Sequence, residues 1–167
     1  ILVGLYFLTT SCTALWKYWG YMSSIYDIGN VVQPIWNFLN SGEPLSTLNY
    51  PFETHNRFGA HFSPIILFLT PIYKIFGAEG LIVAHCFFIS ITGAVIFKIS
   101  KALECEPKIC LFWSVIFLFN SFVVNAVYWD FRPISIGAFL ISLAFLFLLK
   151  KQFSKFLICC AFMLLIK

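Results

Sequence analysis

The sequence predicts an all-α, multi-spanning helical membrane protein with amphipathic juxtamembrane helices in its first outer loop. Three observations carry this. Hydrophobic residues make up 60% of the 167 and charged residues 11%, with a mean hydropathy of +0.90. A soluble domain is about half apolar and about a quarter charged, so polar groups here are too scarce to coat a water-facing core. Apolar runs recur at bilayer-spanning length, and lysines gather in two short loops between them.

A spanning helix needs about 20 apolar residues. The runs that meet or approach this are 1–16, 80–97, 109–127 and 134–149, with a fifth over 156–167. The first and last begin and stop inside apolar sequence. The whole chain, 1–167, therefore reads as a single transmembrane domain, incomplete at both ends. A sixth stretch, 62–76, is shorter and contains Pro64 and Pro71. Runs of that length are interfacial or re-entrant more often than spanning.

Charge placement sets the topology. Lys98, Lys101 and Lys108 form one short loop, and Lys150, Lys151 and Lys155 another. Short Lys-rich loops mark the cytoplasmic side. With 62–76 not crossing, both lysine loops fall inside, and residues 17–79 and 130–133 fall together outside. The net charge of +4 lies in these clusters and suits this rule better than nucleic-acid binding.

The first outer loop has structure of its own. Ile28, Val31, Val32, Ile35, Trp36 and Leu39 recur at helical spacing along one face, with Asn30, Gln33, Asn37 and Asn40 on the rest. This predicts an amphipathic helix on the membrane surface, bent at Pro34. Gly42, Pro44 and Pro51 then break the chain. The six cysteines lie in or beside apolar runs, apart from Cys105. They read as small hydrophobes rather than a disulfide framework or a zinc site.

The chemistry-bearing residues concentrate outside. The first loop carries Asp27, Glu53, His55, Asn56, Arg57 and His61; the second carries Trp129, Asp130, Phe131, Arg132 and Pro133. Asp27 has two readings, an N-cap for the amphipathic helix or a general base at the membrane surface. Arg57 suits a bidentate grip on a phosphate, or a lipid headgroup. His55 and His61, with Asp27 or Glu53, are candidate ligands for a divalent metal ion, or histidines that satisfy buried hydrogen bonds, and the spacing does not fix a cofactor. Asp130 and Arg132 read as a local ion pair at an aromatic belt, or as a carboxylate and a cation facing Asp27 across a site for a phosphate-linked donor. His85, Asn120 and Asn125 fall within spans, where polar groups face the bundle interior or a wet cavity.

The order of these features carries a resemblance. Tyr26-Asp27-Ile28-Gly29 is followed by Gln33, Trp36-Asn37 and Gly42, then His61-Phe62-Ser63-Pro64-Ile65, Pro71-Ile72-Tyr73 and Phe76-Gly77. This resembles a family of prokaryotic polytopic membrane proteins, domain-of-unknown-function family 2079, over most of the chain. That family's second motif tends to read Phe-His-Pro, and Arg132 stands here in place of the His. The family is in turn similar to the GT-C class of glycosyltransferases, which hold an essential Asp in a long first outer loop. The resemblance implies a GT-C-like fold in a prokaryotic inner membrane, transferring a sugar from a polyprenyl-phosphate donor on the outer face. Asp27, His61 and Asp130 would form the catalytic set, with Arg57 and Arg132 binding the phosphate. The rival readings are a transporter or channel and a non-enzymatic scaffold. Transporters place ionisable groups near the bilayer midplane, and Asp, Glu, Lys and Arg are missing from the middle of the spans predicted here.

Overall fold

The computed structural model describes residues 1–48 and 53–166. The chain is mostly helical, and its longest helix organises the rest. Helix α1 is Leu2–Trp19. A π-helical turn, Ile25–Gly29, leads into α2, Asn30–Ser41. Two-residue strands β1 (Leu45–Ser46) and β2 (His55–Asn56) pair antiparallel, the only strand pairing among the described residues. The short α3, Arg57–Ala60, and a 3₁₀ segment, Pro64–Leu69, enter α4, Thr70–Ala102. Helices α5 (Pro107–Phe119), α6 (Ser121–Tyr128), α7 (Ile134–Leu149) and α8 (Phe153–Met163) follow.

Pro64–Ala102 is the one helical stretch among the described residues that is long and apolar enough to cross a membrane by itself, with mean hydropathy 2.2. It is not straight. Gly77 adopts φ 63 and ψ −152, a conformation essentially reserved for glycine. This break separates the proline-containing entry segment from the helix proper, which then runs past Phe97 to Ala102. The expected third span is also divided. Asn120 is extended, its side chain accepts the Phe122 N–H at 2.9 Å, and α5 and α6 meet at a 48° bend. An Asn can supply its own cap to a new helix, so it ends one segment and starts the next. Asn120 and Asn125 are exposed, contrary to the inward orientation expected of them. Only His85 is buried.

Two cores flank α4. One gathers Val31 and Ile35 of α2, Ile65, Ile66 and Leu69 of the 3₁₀ segment, Leu81, Phe131, Ile136 and Ile166. The other gathers Tyr6, Ala14, Ile28, Ile82, Cys86, Ile89, Leu118 and Val127. Against α5, Gly93 permits a close approach. A Cβ there would stand 2.8 Å from Leu118, and the Gly93 carbonyl accepts the Ser114 hydroxyl at 2.8 Å. Outside these cores, large apolar side chains such as Leu5, Leu8, Phe112, Ile116, Ile141 and Phe145 are exposed. Exposed apolar side chains on several helices suit a lipid environment better than water.

Contacts between residues distant in sequence define two ends of the bundle. Ile1, Leu2 and Val3 sit beside Phe97 and Lys98 at one end. At the other, the Ile65 N–H donates to the Leu165 carbonyl at 3.0 Å, and Lys17 reaches Asp130. The apolar stripe expected of α2 splits between two environments. Ile28, Val31 and Ile35 are buried in protein, while Trp36 and Leu39 are exposed. Its polar residues hold the hairpin. Gln33 bonds Thr47 through both its amide groups at 2.9 and 3.1 Å, and Asn37 donates to the Leu45 carbonyl at 2.8 Å. The chain break expected at Pro51 lies outside the described residues.

Candidate functional site

The site begins with a proline. Pro34 lies inside α2 and has no N–H to give the Asn30 carbonyl four residues earlier. That carbonyl accepts instead from Arg57 Nε–H at 3.1 Å. The hairpin delivers Arg57 to this position. The Arg57 N–H donates to the Pro44 carbonyl at 2.9 Å, and Asn56 caps α3 by accepting the Phe58 N–H at 2.9 Å. Among the described residues, Arg57 has no carboxylate partner; the ion pairs there are Lys17–Asp130 and Arg132–Asp27. Its Nη1 is buried without a hydrogen-bond partner, and burial pushes the guanidinium pKa down.

The second wall is the turn after α6. Helix ends leave backbone carbonyls unpaired and favour cations. Here His85 Nε2–H donates to the Ala126 carbonyl at 2.9 Å and Lys17 Nζ to the Tyr128 carbonyl at 2.8 Å. Trp129 then leaves the helix extended. Asp130 and Phe131 turn inward, and Arg132 stays exposed. Phe131 is fully buried, its ring centroid 5.9 Å from that of His85 in an edge-to-face arrangement, a burial contributing about 1.5–3 kcal/mol.

The Asp130–Arg132 pair suggested by their spacing does not form; each has a partner from far away in sequence. Asp130, with a side chain only 5% exposed, accepts from Lys17 Nζ at 3.1 Å and from the Ser24 N–H at 2.6 Å. Arg132 donates to Asp27 at 2.6 Å while its guanidinium stacks 5.0 Å from the Trp129 ring centroid. Burial alone would raise the Asp27 pKa. Hydrogen bonds from Arg132 and Trp129, with the Arg132 charge, outweigh it and hold the carboxyl below its ordinary value. Asp27 is not the N-cap of α2: that position is Gly29, which offers no side-chain cap, and Ser24 caps the π-helical turn before it, its hydroxyl accepting the Tyr26 N–H at 3.2 Å. The Asp27 carboxylate is thereby free for the longer-range pair.

These elements enclose an open pocket of about 520 Å³ at the end of the bundle away from Lys98. Its polar lining is Tyr26, Asp27, Asn30, Arg57, His61, Ser63 and Arg132, and its apolar lining includes Val31, Phe62, Phe131, Ile134 and Ile166. Four of the five residues singled out from sequence thus share one cavity. The fifth, Asp130, is outside the lining, behind the turn that presents Arg132. The candidate metal set does not assemble. His55 donates from Nδ1 to the Glu53 carbonyl at 2.8 Å, and among the described residues no three His, Cys, Asp or Glu side chains stand close enough to share an ion.

Sequence reasoning missed three residues that build this site: Lys17, Ser24 and Pro34. Two of them left a signal. A lysine at the lysine-poor end of a helix calls for a local anion, and a proline four residues after Asn30 leaves that carbonyl without its helical donor.

A family model described as "Predicted membrane protein (DUF2079)" matches residues 17–167. No curated protein and no solved structure matches the chain.

Proposed function

Because the chain belongs to the DUF2079 family of predicted membrane proteins, we propose that it is a multi-spanning, GT-C-like glycosyltransferase of a prokaryotic cell membrane. It transfers a sugar from a polyprenyl-phosphate donor at the outer face, with the lysine loops cytoplasmic. The observation that carries this reading is the pocket itself. It combines a carboxylate, Asp27, two guanidiniums, Arg57 and Arg132, and an apolar wall at one end of the bundle. That combination suits a ligand with a lipid tail, an anionic joint and a polar head.

In this reading the acceptor hydroxyl oxygen attacks the anomeric carbon. The bond from that carbon to the phosphate oxygen breaks, and the polyprenyl phosphate leaves with the electron pair. Asp27 takes the hydroxyl proton. Arg57 and Arg132 stabilise the departing anion, as fixed cations do best where charge develops. His61, on the same wall as Arg57, orients the acceptor. Asp130 holds the turn that carries Arg132 and touches no substrate.

A general base contributes about 10²–10⁴-fold. Membranes containing the Asp27→Asn protein should therefore transfer labelled sugar from a polyprenyl-phosphate donor at least about 100-fold more slowly than wild type, at equal protein level. Undiminished transfer would sink the assignment.

A further inference from the structure

The two arginines of the pocket differ in one respect that decides what the pocket can hold. Arg132 already has a counterion at 2.6 Å. Arg57 is half-buried and pairs with no carboxylate among the described residues; its guanidinium donates there to the Asn30 carbonyl that Pro34 leaves open, while Nη1 is buried without a partner. A desolvated cation without an anion is costly, so an anion from outside the chain would complete the site. With histidines counted neutral, the formal charges lining the pocket are Asp27, Arg57 and Arg132, a net of +1. One negative charge balances it. The apolar wall beside these groups, Phe62, Ile134 and Ile166, lies where an aliphatic tail would leave the anion.

We infer that Arg57, and not Arg132, is the anchor for a single phosphate ester carrying one negative charge on an amphiphile, and that Pro34 creates the anchor by withholding a backbone donor. The inference rests on the pocket being the phosphate-holding site and does not require that transfer occurs. A free phosphate ion offers the same oxygens, so the test must separate the two sources.

The test uses the full chain in phosphatidylcholine nanodiscs, titrated calorimetrically with decyl methyl phosphate, decyl diphosphate and inorganic phosphate. Decyl methyl phosphate, with one charge and one tail, is expected to bind tightest. Arg57→Ala is expected to weaken it about 10- to 100-fold, the equivalent of one charge-assisted hydrogen bond. Arg132→Ala should weaken it less than about threefold, as for an exposed pair. Pro34→Ala returns an N–H to Asn30, competes with Arg57 and should weaken binding while leaving the helix intact. This variant keeps the inference testable if Arg57→Ala does not fold. Equal losses for the two arginine variants, or unchanged binding by Pro34→Ala, would overturn the anchor. Inorganic phosphate binding as tightly would overturn the amphiphile, and tighter decyl diphosphate would overturn the single charge. Binding that behaves as expected in a protein showing no sugar transfer removes the transferase reading alone. Transfer that survives Arg57→Ala undiminished removes the anchor and the role of Arg57 at the departing anion, and leaves the transferase reading to Asp27 and Arg132.

Discussion

Replacing Asp130 by Ala should destabilise the protein far more than replacing Asp27, although both aspartates are ion-paired. The Asp130 side chain is 5% exposed and serves both the Ser24 N–H at 2.6 Å and Lys17 at 3.1 Å. Its removal leaves a backbone donor without its acceptor and a cation without its counterion. Lys17 keeps the Tyr128 carbonyl at 2.8 Å and is 26% exposed, which tempers the loss to about 3 kcal/mol. The Asp27 carboxylate is 22% exposed and its partner Arg132 49%, so solvent screens that pair and its loss costs under about 1 kcal/mol. For a chain of this size these correspond to thermal shifts of about 6–12 °C for Asp130→Ala and under about 4 °C for Asp27→Ala, read from melting in detergent. The pH dependence of the smaller term has a defined sign. Asp27 titrates below its ordinary value when folded, so its contribution is complete above the unfolded carboxylate pKa of about 3.9 and is lost as pH falls through the lower, folded pKa. The gap between wild type and Asp27→Asn should stay constant from about pH 8 to pH 5 and close below about pH 4. If Asp27→Ala lowers the melting temperature as much as Asp130→Ala, Asp27 is a structural group and its assignment as a base fails.

Two further substitutions probe the breaks that shape the bundle. Gly77→Ala places an L-residue at φ 63, ψ −152 with its Cβ 3.2 Å from a Glu79 carboxylate oxygen. The strain of about 1–3 kcal/mol should lower the melting temperature by about 2–12 °C, and an unchanged melt would mean the helix does not break there. Asn120→Ala removes the side-chain cap of α6 at a cost of about 1 kcal/mol, and Asn120→Ser should recover most of it; equal losses in the two variants would deny the cap.

What was legible in the sequence was the helical, lipid-facing character and the presence of Asp27, Arg57, His61 and Arg132 among the chemistry-bearing residues that share the pocket. Uninterrupted apolar runs state helix and lipid together, which is why Ile134–Leu149 reads as one element. Asn120 reads as a polar residue within a run, because only the structure shows its side chain turned back to cap α6. The pairings were not legible. Asp130 and Arg132 are two apart and oppositely charged, yet they bond to Lys17 and Asp27, more than 100 residues away. Extended backbone would put residues two apart on the same side, so it is the packing of the turn between α6 and α7, and not spacing, that chooses their partners. The contact between Arg57 and Asn30 depends on a hairpin folding back over α2, so Pro34 could be read as a bend but not as the maker of an acceptor. The stripe along α2 was read as facing the membrane, whereas most of it packs on α4 and the 3₁₀ segment, because apolar periodicity does not distinguish lipid from protein.

The central proposal is that α2, α3 and the turn after α6 close one pocket that faces the side of the membrane opposite the lysine loops. Labelling with a membrane-impermeant maleimide tests it most directly, in a cysteine-free background carrying one of three exposed substitutions: Asn40→Cys, Ile134→Cys or Lys151→Cys. In intact cells the first two should label and Lys151→Cys should label only after permeabilisation. If Ile134→Cys behaves like Lys151→Cys, the two walls lie on opposite faces and the shared pocket is contradicted.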